Sequence, residues 1–129
     1  MKIDIQTAIT NCKTKKVLHL NNLDINDRDI LGIVRAIKTR LPNLHTLDLD
    51  SNNLTDTGAA VLGEELSNLH DLKELSIQFN NIGREGARAI FSLKREHSDL
   101  TILFHGNKIT DVAEMARIEQ EASGSSMRI

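Results

Sequence analysis

The stretch LDLDSNNLTDTG, Leu47 to Gly58, sets two leucines two positions apart, then an asparagine pair, a third leucine and a small polar turn ending on glycine. Side chains two apart share one face of a strand, so Leu47 and Leu49 read as the buried side of a short strand. Asn52 then stands where a core residue is due. The same skeleton recurs in LSIQFNNIGREG, Leu75 to Gly86. A wider search aligns four segments: Leu18-Leu20-Leu23-Ile25, Leu47-Leu49-Asn52-Leu54, Leu75-Ile77-Asn80-Ile82 and Ile102-Phe104-Asn107-Ile109, offset by 29, 28 and 27 residues.

After each turn the apolar period changes from 2 to 3.6. Ile30, Ile33, Val34, Ile37 and Leu41 form one helical stripe, Ala59, Leu62, Leu66 and Leu69 a second, and Ala87, Ile90 and Phe91 a third. The fourth helix, with Val112, Met115, Ala116 and Ile118, is less regular and reads as a closing unit. One strand–helix unit cannot bury both apolar faces, whereas stacked parallel copies share a continuous core. The fold class is therefore an α/β solenoid with about four parallel strands on one side and helices on the other. Over residues 15–118 the chain resembles the leucine-rich repeat, in particular the ribonuclease-inhibitor-like subfamily with a helix in every unit. That resemblance implies a right-handed horseshoe segment with a concave sheet. It also implies a buried ladder in which Asn52, Asn80 and Asn107 bond backbone groups left unpaired by the turn, since an unpartnered buried amide costs a few kcal/mol. The first unit has Leu23 there, as suits a unit with no predecessor to bond.

The organisation expected is one domain over 1–129: a cap helix in 1–14, repeats starting near 15, 44, 72 and 99, and a polar tail over 119–129. In the cap, Ile5, Ala8, Ile9 and Cys12 follow helical spacing behind Asp4. Helix starts are marked by Asn26 or Asp27, Thr55 or Asp56, and Thr110 or Asp111, the last with Glu114 in capping-box spacing. Gly58 and Gly86 share a register where a helix must approach its strand closely. A formal charge of −2 gives no bias toward nucleic acid, and three Phe with no Trp or Tyr leave the core aliphatic. Cys12, the single cysteine, excludes an internal disulfide and fits a reducing compartment. No run approaches the ~18 apolar residues of a membrane span, and the opening MKIDIQTAIT lacks a secretory signal.

Alternation assigns the concave face to Val17, His19 and Asn21; Thr46, Asp48 and Asp50; Glu74, Ser76 and Gln78; and Thr101, Leu103 and His105. It carries three acids and no Lys or Arg; Arg35, Lys38, Arg40, Arg84, Arg88, Lys94 and Arg95 lie on the helices, as a solvated outer face. Four strands ~4.8 Å apart offer only a few hundred Å², short of the roughly 800 Å² per partner of a standard interface. Loop residues Asn22, Ser51, Phe79 and Gly106 must then contribute, with Phe79 the aromatic anchor.

His19, Asp48 and Ser76 fall in one row, but a hydrolase triad needs the histidine between the other two, and Asp48 takes the middle strand. His19, Asp48 and Asp50 lack any accompanying metal motif, and His45, His70 and His97 read as surface histidines. No cofactor, metal or catalytic residue is expected, and the face has neither the basic stripe nor the aromatic platforms of a nucleic-acid binder. The expected function is a non-catalytic protein–protein interaction module, a monomer or weak homodimer, binding a partner with a basic patch. The alternatives are a Ran-type regulator of a small GTPase and a fragment that self-associates through the edge near Ile102 to Phe104. The expected setting is cytoplasmic. The ending EMARIEQEASGSSMRI, with Glu114, Glu119, Glu121 and Met127, also resembles the C-terminal signal of Dot/Icm-type effectors, which implies delivery into a host cytosol.

Overall fold

A strand three residues long cannot hide its apolar side alone, and four such strands in this chain solve the problem by lying side by side. The computed structural model describes residues 2–123. Strands β1 (Val17–His19), β2 (Thr46–Asp48), β3 (Glu74–Ser76) and β4 (Thr101–Leu103) form one sheet in sequence order, every neighbour parallel. Leu18, Leu47, Leu75 and Ile102 stand in one row across it. Helices α2 (Asp27–Arg40), α3 (Asp56–Glu65) and α4 (Arg84–Phe91), the last two prolonged by 3-10 turns Leu66–Asn68 and Ser92–Arg95, return between the strands. Ile30, Ile33, Val34 and Ile37, then Ala59 and Leu62, then Ala87 and Ile90 bury completely against the sheet's inner side.

Ahead of β1, α1 (Ile3–Thr10) lays Ile5 and Ile9 on the first unit. The helix begins one residue before Asp4, with Lys2 at its N-cap, so Asp4 sits inside the first turn. Cys12 is half-buried against the core, its thiol donating to the Val17 carbonyl 3.2 Å away.

Between units the asparagines bridge. The Leu23 and Ile25 N–H groups donate to Asn52 Oδ1 at 3.1 and 2.9 Å, and Asn52 Nδ2 donates to the Leu20 and Leu49 carbonyls at 3.0 Å each. Asn80 takes the Leu54 N–H at 3.0 Å and gives to Leu49 and Ile77; Asn107 takes the Ile82 N–H at 3.0 Å and gives to Ile77 and Phe104. Each amide thus satisfies its own turn and the preceding one.

A second bridge runs along the helix starts. Asp27 Oδ1 accepts from the Thr55 and Gly58 N–H groups at 2.9 and 3.0 Å, and Asp56 Oδ1 accepts from Gly83 N–H at 2.6 Å. This gives Gly58 and Gly86 their reason. A β-carbon would lie 2.3 Å from Asp27 Oδ1 at Gly58, and 2.7 Å from Asp56 Oδ1 and 2.5 Å from Ile82 Cγ2 at Gly86. What approaches closely is the previous unit's carboxylate as well as the unit's own chain. In the third unit Arg84 replaces the aspartate, and the fourth correspondingly has Ala113 in the glycine's place. Asp56 also serves a helix that lacks its own side-chain cap, since the N-cap of α4 is Gly83. Asn26 caps α2 in a capping box closed by Asp29, and Thr55 caps α3.

Helix α5 (Val112–Ser123) departs from expectation in three ways. Residues 119–123 are helical rather than part of a tail, because Ala122 is buried beside Ile118 and its carbonyl accepts from Arg95 Nε at 2.6 Å. Val112 and Ala116 face outward, so the inward stripe is Met115, Ile118 and Ala122. Glu114 does not close a capping box with Asp111. Asp111 accepts from the Ala113 N–H at 2.9 Å, while Glu114 takes Arg84 Nε at 2.7 Å. The remainder of the expected tail, residues 124–129, lies outside the described residues.

The Asp–Gly correspondence is open to a double-mutant cycle. Gly58→Ala costs about 1–3 kcal/mol in the native background and at least ~1 kcal/mol less once Asp27→Ala has removed the carboxylate, as read by urea denaturation. Additive losses would mean that the crowding comes from elsewhere.

Candidate functional site

The open side of the sheet is built by what the core does not take. Register places Val17, Thr46, Glu74 and Thr101 in one row and His19, Asp48, Ser76 and Leu103 in the next. Beyond the strand ends the ladder continues: the N–H groups of Asn22, Ser51 and Phe79 donate to the carbonyls of Asp50, Gln78 and His105 at 2.9–3.0 Å. That aligns Asn21, Asp50, Gln78 and His105 as a third row. All twelve side chains expected on this face are on it.

One of them is not available to a partner. Ser76 is 4% exposed because its hydroxyl donates to Asp50 Oδ1 at 2.6 Å, and the Gln78 N–H donates to the same oxygen at 2.8 Å. Asp50 thereby spends one carboxylate oxygen stitching β2 to β3, with Gln78 closing over it. Asp48 accepts from the Asp50 N–H at 3.0 Å and lies 3.1 Å from His19 Nδ1. Asp48 does stand between His19 and Ser76, and the serine's hydrogen bond goes to Asp50 instead, so the three make no relay. Glu74 is different. Its carboxylate has no hydrogen-bond or ion-pair partner among the described residues, and its register neighbours are Thr46 and Thr101.

The loop row beyond the strands repeats one backbone geometry. Asn22, Ser51, Phe79 and Gly106 all have positive φ, at 57°, 57°, 58° and 81°. Asparagine and glycine tolerate this left-handed region, while a bulky residue there bears about 1–2 kcal/mol of strain. Phe79 is nonetheless 53% exposed. Its ring packs edge-on against His105, centroids 5.6 Å apart, and lies over Gly106, where a β-carbon would fall 2.4 Å from Phe79 Cδ1. Gly106 is thus constrained twice, by φ and by the ring above it.

The helical cations staple neighbouring units. Lys38 meets Glu65 at 3.0 Å, Arg88 meets Glu121 at 3.6 Å, and Lys94 meets Glu119 at 3.6 Å. At the strand starts Lys73 lies 3.3 Å from Asp99, and its hydrogen bond holds that carboxyl below the ordinary range. His97 corrects the surface reading. It occupies the position of Leu41 and Leu69, three residues before Leu100, is 6% exposed, and sets Nε2 3.0 Å from the Ser67 carbonyl. The leucine spacing itself signals that position. Among the described residues no group of His, Cys, Asp and Glu is placed to hold a metal ion, and no helix is long and apolar enough to cross a membrane.

A family model described as Leucine Rich repeat matches residues 40–63 and 68–91, spans 28 residues apart like the second and third units themselves. These two spans are leucine-rich repeats. FERM domain-containing protein C of Dictyostelium discoideum is 33% identical over 85 residues, 66% of this chain. The chain spans about 6% of that relative's length. The solved structure of Leiomodin-1 Actin-Binding Site 2 superposes with a TM-score of 0.69 at 16% identity, covering 95% of this chain and 87% of that one. That likeness concerns the fold alone; with the two matched spans and the four parallel strands it is that of a leucine-rich-repeat-like solenoid segment.

The face separates structural from spare carboxylates. Asp50→Ala exposes Ser76 and unpairs the Gln78 N–H, costing about 1.5–3 kcal/mol, whereas Glu74→Gln stays within about 0.5 kcal/mol of wild type. Chemical denaturation of the two variants distinguishes them, and equal losses would put Glu74 in the structural class.

Proposed function

We propose that the chain is a non-catalytic protein-interaction module that receives its partner on the open sheet face and the loops beyond it. One observation carries the reading. Strand side chains divide so cleanly that Leu47 and Leu75 are fully buried while Thr46, Asp48 and Glu74 beside them stay accessible, Glu74 with its carboxylate unspent. With no Lys or Arg at the twelve positions, the field over the face steers a partner with a basic patch toward it. The helix in every unit and the 27–29-residue period support the ribonuclease-inhibitor-like subfamily.

Two partners merit direct assay. Actin is one, because the superposed solved structure is titled an actin-binding site. A small GTPase is the other, from the resemblance to Ran-type regulators. Immobilised wild-type chain is expected to retain a partner from a eukaryotic lysate. Glu74→Lys should weaken retention tenfold or more, while Glu64→Lys on the helical side leaves it unchanged. Capture indifferent to Glu74→Lys, or turnover of a substrate, would end the proposal.

A second reading concerns where the module acts. Glutamates at 114, 119 and 121, followed by small polar residues and Met127, support delivery as a bacterial effector. The ion pairs of Glu119 and Glu121 with Lys94 and Arg88, and the bond of Glu114 to Arg84, give the same glutamates a structural use. The decisive truncation therefore removes only 124–129 and spares α5. Loss of translocation in a Dot/Icm reporter strain is the expected result, and unchanged delivery would remove this reading.

A further inference from the structure

We infer that Phe79 is the anchor of this face and that its occupant is an extended protein segment pairing an apolar side chain with a lysine or arginine. The inference rests on the interaction-module reading and adds what the partner must carry. Phe79 fills the left-handed position that Asn22, Ser51 and Gly106 take in the other units, and the β-carbon of a bulky residue is crowded there. The ring seals no core, since more than half of it is open to solvent. It is also held: His105 meets it edge-on at 5.6 Å, and Gly106, having no β-carbon, leaves room for it. A braced aromatic with one side bare loses little freedom on binding, which is what hot-spot anchors require.

The surroundings set the occupant's chemistry. Leu103, two residues before His105 on the same face, is exposed and extends the apolar ground toward the sheet. Glu74 pairs in register with Thr101, so strand geometry puts it about 8 Å from Leu103. Asp48 lies one strand further, 3.1 Å from His19 Nδ1 and accepting the Asp50 N–H. Phe79 and Glu74 stand at opposite ends of the third unit's rung, five residues apart, with Leu103 of the fourth unit beside them. A segment lying obliquely over the face thus meets apolar surface at the loop end and, toward the strand starts and the second unit, carboxylates that no Lys or Arg pairs among the described residues. A base opposite Glu74 and Asp48 with an apolar residue on Phe79 satisfies both, whereas an acidic segment or a nucleic-acid backbone is repelled.

Random dodecapeptides displayed on phage provide the probe, selected on the whole chain and titrated against wild type, Phe79→Asn, Glu74→Gln and Glu74→Lys. Enriched peptides should carry Lys or Arg within a few residues of a large apolar side chain. Phe79→Asn should weaken them tenfold or more, with the melting temperature unchanged or raised, because asparagine relieves the left-handed strain. Glu74→Gln should weaken them several-fold and flatten the salt dependence. Enriched peptides without a base would overturn the inference, as would equal binding to Phe79→Asn. A fall of more than about 5 °C in that variant's melting temperature would instead mark Phe79 as structural. Peptides lost by Glu74→Lys but kept by Phe79→Asn would leave the module standing without its anchor, and no enrichment over blank support would remove both.

Discussion

Each unit of this solenoid is tied to the one before it by a single amide side chain. The turn after every strand points backbone N–H and C=O groups inward, where water cannot reach them, and an unpaired group there costs more than a typical hydrogen bond contributes. Asn52, Asn80 and Asn107 each take N–H groups from the preceding unit on Oδ1 and give Nδ2 to carbonyls of both units. Because the amide must reach both turns at once, adjacent units cannot slip by a residue. A slip of one would also turn Leu47 and Leu75 outward and Asp48 and Ser76 into the core. The open face exists because the ladder forbids that exchange.

The fold was legible because burial leaves a periodic trace. Leu18, Leu47, Leu75 and Ile102 are offset by one unit each, and the change from period 2 to 3.6 marks where strand gives way to helix. The Asp27–Gly58 and Asp56–Gly86 pairings were not legible in the same way. Their members lie about one unit apart and differ in type, so each looks like a local choice, a helix-start acid or a flexible glycine. Only the contact shows that the acid requires the glycine. The variation within the chain then makes sense, since Arg84 breaks the series and Ala113 is admitted after it. His97 was misread for a related reason: its residue type pointed to the surface while its register, shared with Leu41 and Leu69, pointed inward.

On the candidate site, alternation placed all twelve side chains correctly but was silent on how they spend their polar groups. Ser76 and Asp48 are equivalent in pattern, in adjacent strands of one row, yet one is buried and the other accessible. The difference lies in Asp50, whose Oδ1 draws in both the Ser76 hydroxyl and the Gln78 N–H. Three acids on a face therefore do not make three binding groups: Asp50 holds the sheet, Asp48 is partly engaged, and Glu74 is spare. The strain at Phe79 did have a signal in the sequence. Asn22, Ser51 and Gly106 are small or left-handed-tolerant residues at one register, and a phenylalanine among them is the odd member.

The two bridging systems are not equally strong along the chain, and this bears on how the face responds to a partner. The first and second junctions have both an asparagine and an aspartate, Asn52 with Asp27 and Asn80 with Asp56. The third has Asn107 but Arg84 where the aspartate would be, and its other side-chain ties are the outer ion pairs Arg84–Glu114, Arg88–Glu121 and Lys94–Glu119, the Lys73–Asp99 pair at the strand starts and the Arg95 hydrogen bond to the Ala122 carbonyl. Exposed pairs of this kind contribute little and weaken with salt, and the last unit is the one that lacks the aspartate bridge of the others. It is also the unit that supplies His105 and Gly106, the supports of the Phe79 ring. A partner that presses on that ring therefore loads the junction between the third and fourth units. Contacts spanning the two would do there what the missing aspartate does elsewhere, coupling occupancy of the face to the order of the fourth unit.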